Sequence, residues 1–265
     1  MSSNYRLIRE DVRKPFNAKR FSHARRPLPV ANIEPYRGSI LPSALDMLIK
    51  IPGGNIQLPE PYRGNCTIVD FIARSILHED GLLPDWREHY HLYLTIDHRM
   101  VPAGKTHRNK GWHFDGMQGE RYPVKMPVCH QYLVSNTLPT EYYIGSNANL
   151  EQADERRDNW FDVVSEQIGE IPPEIWCPQN MQIVMVTSYQ IHRAQIAKRD
   201  NMRLFMRLDV SLKQQDRLGN SINPLLPAPW PMVKRGFDGH QPLDDAGWES
   251  GQKIAKRIGE QAQAS

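Results

Sequence analysis

MQIVMVTSYQIHRAQIAKRDNMRLFMRLDVSL, residues 181–212, is the stretch that decides how this chain folds. Its first part is dense in Val, Ile and Met, the composition of a buried strand. RLFMRLDVSL (203–212) has the same character, and the polar AKRDNM between them reads as a turn. The spacing therefore predicts one strand over 181–192 that ends on His192 and a second that opens on Arg203. Upstream, HYHLYLTID (89–97) alternates strictly, with Tyr90, Leu92, Leu94 and Ile96 on one face and His89, His91, Tyr93, Thr95 and Asp97 on the other. VCHQYLVS (128–135) and TEYYIG (140–145) read as further strands, separated at Pro139. Two helices are expected. One covers 67–80, with Ile68, Phe71, Ile72 and Ile76 on one stripe and Thr67 as N-cap. The other covers 149–169, capped by Asn149. Residues 27–66 read as irregular chain with short strands, 216–238 as a proline-rich loop, and a short helix is expected from about 244. Many strands with few helices between them argue for a barrel or a sandwich rather than a doubly wound sheet.

Residues 111–117, GWHFDGM, place a histidine and an aspartate two apart. With 10 His and 30 Asp plus Glu in 265 residues, about one His-x-acid pair is expected by chance, so the pair alone decides nothing. A rival exists in His78 and Asp80. It falls on the predicted helix, where two positions are about 200° apart and the side chains diverge. On a strand, positions i and i+2 share a face. His113 and Asp115, followed by His192 at a strand end and then by Arg203, supply two imidazoles, a carboxylate and a guanidinium. Two histidines and a carboxylate on one face of a metal leave positions open, which suits Fe(II) with a chelating cosubstrate and O2. A buried arginine offers a bidentate, permanently charged seat for a carboxylate. Arg207 lies four residues on and shares the strand face of Arg203. It is either a substrate-anion partner or the structural partner of Asp209 or another acid. His91, Tyr93, Thr95 and Gln131 fall on inward strand faces as candidate pocket residues, and Trp112 is a packing aromatic beside the metal ligands. The chain has no HExxH, so a zincin hydrolase has no support.

WHFDG (112–116) and SYQIHRAQIAKRDNMRLFMRLDVS (188–211) resemble the 2-oxoglutarate and iron(II)-dependent oxygenase superfamily. The second segment is most similar to the aspartyl/asparaginyl hydroxylase and taurine dioxygenase-like branches. The resemblance covers roughly 89–212. It implies a β-rich α+β chain folded as a double-stranded β-helix, a jelly-roll or cupin-like barrel with flanking helices. It also implies oxidative decarboxylation of 2-oxoglutarate coupled to substrate oxidation. His113, Asp115 and His192 would be the iron ligands and catalytic centre, and Arg203 would bind the distal carboxylate of 2-oxoglutarate. Hydroxylation of a C–H bond in a small molecule, an amino acid or biosynthetic intermediate, is the reading adopted. One alternative is a hydroxylase or demethylase acting on a nucleic acid or a protein side chain. A second is a non-catalytic or cupin-type metal-binding barrel built on His89 and His91, for which the sequence lacks a following glutamate.

Composition is that of an ordinary globular protein, 40% hydrophobic and 24% charged. The domain organisation expected is a basic N-terminal arm (1–26), one oxygenase domain (27–240, core 89–212) and a C-terminal helical extension (241–265). The arm holds Arg6, Arg9, Arg13, Lys14, Lys19, Arg20, Arg25 and Arg26 against Glu10 and Asp11, whereas the whole chain carries only +3. It is expected to be solvated and dispensable to a pocket lying within 89–212, or else to dock an acidic partner such as nucleic acid. Cys66, Cys129 and Cys177 are too few and too scattered for a zinc cluster or a disulfide framework. No apolar run has the length of a membrane span, and no signal-peptide core opens the chain, so a cytoplasmic protein is expected.

Overall fold

Antiparallel pairing of the strand at 201–211 with its neighbours builds the main sheet of this protein. A computed structural model describes residues 3–108, 111–115, 129–153 and 158–232. The strands are β1 (Leu28–Asn32), β2 (Ala44–Lys50), β3 (His91–Val101), β4 (Cys129–Ser135), β5 (Glu141–Tyr143), β6 (Ile175–Trp176), β7 (Gln182–Thr187), β8 (His192–Arg193) and β9 (Asn201–Ser211). Six of them form a sheet in the order β1-β7-β4-β9-β3-β2, and three form a second in the order β6-β5-β8. An antiparallel bridge between His113 and His192 extends the second sheet by one short rung. Along the chain, β3 lies in the main sheet, the His113 rung in the second, β4 in the main, β5 and β6 in the second, β7 in the main, β8 in the second and β9 in the main. A chain that winds back and forth between two facing sheets in this way is a double-stranded β-helix. Among the described residues the two sheets face each other without closing into one continuous ring of pairs.

The predicted strand over 181–192 is two strands. The chain leaves the main sheet after Thr187, turns through Ser188–Ile191, and enters the second sheet at His192. Composition gives no hint of this break, because both faces of both strands are covered and the apolar run is nearly continuous.

Three apolar layers follow from strand alternation. The outer face of the main sheet (Leu92, Leu94, Ile96, Tyr132, Val134, Leu204, Met206, Leu208) packs with α1 (Ser3–Asp11) and α2 (Cys66–Leu82). Between the sheets lie Leu133, Val184, Val186 and Phe205 from the main sheet and Tyr142 from the second. Behind the second sheet, Trp112, Phe114, Tyr143, Tyr189 and Ile191 pack on α4 (Trp160–Ile168). The helix caps differ from those expected. Asn65, not Thr67, caps α2, accepting from Ile68 N at 3.2 Å. The helix expected from Asn149 starts only at Trp160 under an Asn159 cap, while Asn149 closes its own turn by accepting from Glu151 N. Both competitors are short polar residues within a few positions of the real cap, so local chemistry does not separate them. α3 is a single turn, Trp86–His89, and the C-terminal helix expected beyond 240 lies outside the described residues. No helix among the described residues is long and apolar enough to cross a membrane.

The N-terminal segment is not a solvated arm. Ile8 and Val12 belong to the core above the main sheet, and Phe21 belongs to the layer behind the second. Part of its charge is internal, with Asp11 buried between Arg20 and Arg25, while at the surface Arg13 donates to Leu82 O and Lys19 pairs with Glu151. Phe21 packs 4.6 Å from the ring of Phe114, and Phe16 stacks 5.3 Å from Tyr189. Phe21→Ala should therefore destabilise the protein by about 3–5 kcal/mol, the usual cost of emptying a buried phenylalanine site. Urea unfolding checks this, and an unchanged midpoint would return the segment to the status of a loose arm.

Candidate metal centre

His113 and Asp115 flank Phe114 on extended chain. Phe114 turns into the aromatic layer behind the second sheet, so the two polar side chains must point to the opposite side, between the sheets. The same parity acts across the turn, where Tyr189 and Ile191 face outward and His192 faces inward. The two segments are locked in register by reciprocal backbone bonds, His113 N to His192 O at 2.9 Å and His192 N to His113 O at 2.7 Å. The imidazoles consequently meet with centroids 4.5 Å apart. Asp115 Oδ2 lies 3.5 Å from His192 Nε2. One ligand atom from each of the three residues lies within 4.8 Å of the others.

Hydrogen bonding fixes which nitrogens are free. His113 Nδ1 lies 2.8 Å from Gly111 O and His192 Nδ1 lies 3.0 Å from Gln190 O. A carbonyl only accepts, so both Nδ1 atoms carry the proton and both Nε2 lone pairs are available to a metal. Burial, followed by the neighbouring His192, pushes His113 down to about 4, so its imidazole is neutral at pH 7. Desolvation opposes the charge on Asp115. The hydrogen bond and charge of His192, with Arg207 and His113, outweigh it and hold the carboxyl well below the usual range. His113 and Asp115 are thus in their metal-binding protonation states.

Asp115 is tied to a network of charged groups on the neighbouring strands. Arg207 is buried and reaches three carboxylates: Nε donates to Asp209 Oδ2 at 3.0 Å, Nη1 to Asp115 Oδ2 at 3.4 Å, and Nη2 to Asp46 Oδ1 in a short contact. Arg108 is the second cation of this network, near enough for its charge to act on Asp115, Asp46 and Arg207. Burial raises the Asp209 carboxyl despite Arg207, with Asp46 and Asp115 adding to the effect.

Arg203 is the counterpart that makes no ion pair among the described residues, although the charge of Asp97 reaches it. It shares the inward face of β9 with Phe205 and Arg207, and its Nε donates to Thr137 O and Leu138 O. Its Nη1 is buried with no hydrogen-bond partner among the described residues, and on the facing sheet the buried Tyr142 Oη has only the Thr140 side chain beside it. Burial pulls Arg203 down to about 9, and Arg203 and Tyr142 lie close enough that each shifts the other's proton affinity.

The remaining candidates divide. Thr95 exchanges hydrogen bonds with Asp46, and Gln131 donates to Asp209 Oδ1 at 2.6 Å, so both support the Arg207 network. His91 stacks on Tyr93, whose hydroxyl accepts from Gln215 N. Trp112 packs behind the second sheet and donates to Gly169 O. The rival metal pairs do not assemble. His78 contacts Tyr132 while Asp80 binds Trp86 and Arg87, and His89 sits exposed on α3 while His91 is buried in β3. Sequence reading missed Tyr142 and Asp46. Tyr142 had a usable signal, as an inward position of a strand facing β9. Asp46 had none, because it sits in an irregular stretch of β2.

No protein-family model and no curated protein matches the chain. Among solved structures it is similar to EvdO2 from Micromonospora carbonacea var. aurantiaca (14% identity, TM-score 0.38, 72% of this chain and 74% of that one). It is also similar to ThoJ, a non-heme monooxygenase solved as a nickel complex (14%, 0.33, 75% and 77%). A third is HygX from Streptomyces hygroscopicus with nickel and 2-oxoglutarate bound (13%, 0.28, 62% and 67%).

The His113 shift has a consequence for the metal-free protein. Its folded-state value lies below the ordinary 6.5, so between pH 6.5 and 4 the unfolded chain binds a proton that the folded chain does not. Stability should fall as pH drops through that window, and His113→Asn should make the fall shallower. Equal slopes for the two proteins in pH-dependent urea melts would contradict the neutral, buried imidazole.

Proposed function

We propose that this protein is a non-haem iron oxygenase that couples oxidative decarboxylation of 2-oxoglutarate to hydroxylation of a C–H bond in a small molecule. One observation carries the reading. Two histidines with free Nε2 atoms and one ionised carboxylate converge between the sheets, on the same side as a buried arginine whose Nη1 has no hydrogen-bond partner among the described residues. Bound Fe(II), 2-oxoglutarate and O2 supply the oxidising power. His113, Asp115 and His192 hold the metal through three donors and leave the rest of its coordination to cosubstrate and O2. Arg203 Nη1 and Tyr142 Oη would receive the distal carboxylate, which would give the buried Nη1 the partner it otherwise lacks. Leu133, Val184, Val186 and Phe205 form the apolar wall beside it and exclude water.

A small substrate is favoured over a nucleic acid by the N-terminal segment. Its cations Arg13, Lys14, Lys19, Arg20 and Arg25 are engaged with acids or carbonyls of the same chain rather than displayed as a free basic stripe. Arg207 is likewise committed to three carboxylates, so a substrate anion would have to displace one of them.

The test is succinate formation that requires both Fe(II) and 2-oxoglutarate. His113→Ala, Asp115→Ala and His192→Ala should each abolish it while the fold is kept. Arg203→Ala should raise the 2-oxoglutarate requirement by about two to three decades, as expected when a buried charge pair loses one member at about 3–5 kcal/mol. Tyr142→Phe should raise it by roughly 10- to 150-fold, the worth of one hydrogen bond to a charged group at about 1.5–3 kcal/mol. Turnover independent of 2-oxoglutarate, or unaffected by His192→Ala, would remove the reading.

A further inference from the structure

The Arg207 network is more elaborate than a salt bridge between two strands requires. Its far anchor, Asp46, has φ +45, a left-handed conformation that non-glycine residues seldom adopt. The strain arises where β2 pairs irregularly with β3. Ala44 sits opposite Ile96 and Met47 opposite Leu94, so three steps on β2 match two on β3. The extra residue lets Ala44 and Met47 both face the helix-covered core while the Asp46 carboxylate turns between the sheets. There Asp46 is held twice by Thr95, through its backbone N–H and its Oδ1. Asp209 is held on the other side by Gln131. These two braced carboxylates take Nη2 and Nε of Arg207 and leave Nη1 on Asp115 Oδ2. A planar guanidinium pinned on two edges has no freedom on the third.

We infer that Arg207, clamped by Asp46 and Asp209, is a positioning residue for Asp115, fixing the orientation in which this carboxylate joins His113 and His192 on a metal. The inference rests on the metal-centre reading above. Charge alone does not account for Arg207, because a cation beside the site repels a dication. Its contribution is geometric: the guanidinium occupies Oδ2 from one side and sets the plane of the carboxyl group.

Co(II) titration of the metal-stripped full-length protein, read by the visible ligand-field spectrum, separates the possibilities. Arg207→Lys keeps the charge and loses the planar fork. It should weaken Co(II) binding by about 10–100-fold, the usual effect of losing a group that orients a ligand, and should alter the spectrum at saturating metal. Asp46→Asn touches no ligand residue. Asparagine tolerates the left-handed backbone at least as well as aspartate, so this variant should stay folded and shift affinity and spectrum in the same direction. A merely structural network would lower the melting temperature of both variants and leave the saturated spectrum and the Kd as in the wild type. That result would overturn the inference. If Arg207→Lys does not fold, Asp46→Asn alone decides. Failure of the unmodified protein to bind Co(II), or binding that survives His192→Ala, would instead sink the metal-centre reading itself.

Discussion

The reciprocal backbone bonds between His113 and His192 are the constraint from which the rest of the site follows. They place two residues from separate turns directly opposite each other, which fixes the separation of their side chains before any metal is considered. Strand parity does the remainder. Once Phe114 and Ile191 are committed to the aromatic layer, His113, Asp115 and His192 can only face inward. Each histidine then ties its Nδ1 to the carbonyl two residues earlier, Gly111 or Gln190, so the backbone that positions the ring also selects its tautomer. Donor geometry and donor protonation have a common origin in the local chain path.

Arg203 and Arg207 stand four apart on one face of β9, with opposite electrostatic surroundings. Burial disfavours the charge on both. Around Arg207, Asp209, Asp46 and Asp115 outweigh that burial and raise its proton affinity well above normal, whereas Arg203 is left at about 9. A buried guanidinium with an unpartnered Nη1 is costly and rarely kept without a reason. The economical explanation is that its anion arrives with a ligand. Tyr142 Oη, buried on the facing sheet within electrostatic reach of Arg203, marks where that anion would sit. On the function proposed above, the difference between the two arginines would give one a binding role and the other an architectural one.

Much of this was legible in the sequence, for physical reasons. β3 and β9 alternate or run apolar over enough residues to declare themselves, and the His-x-Asp spacing implies a shared face only on extended chain, which excluded the His78 and Asp80 pair on α2. The crossing at Ser188–Ile191 was hidden because strands covered on both faces lose their alternation. The cap of α4 was misplaced because Asn149 and Asn159 offer the same short side chain. The N-terminal segment was misread from its charge. Eight basic residues look like a solvated arm, yet Asp11 neutralises Arg20 and Arg25 internally while Ile8, Val12 and Phe21 bury their apolar side chains. Asp46 was beyond reach, since its role depends on a strand irregularity set by the pairing of β2 with β3.

These missed residues share a property. Phe21 supports the ligand-bearing segment through Phe114, and Asp46 reaches Asp115 through Arg207. Both lie far upstream of the 89–212 core that carries the three candidate ligands. The core strands provide the donors, but the orientation of the donors is fixed from outside by contacts spanning more than 60 residues of sequence. Local pattern can therefore announce a metal site, because the ligand spacing is local, without announcing what holds it rigid. A centre held in this way depends on completion of the whole fold, with the N-terminal segment docked and β2 paired. Its readiness to take a metal is then a property of the entire chain rather than of the triad.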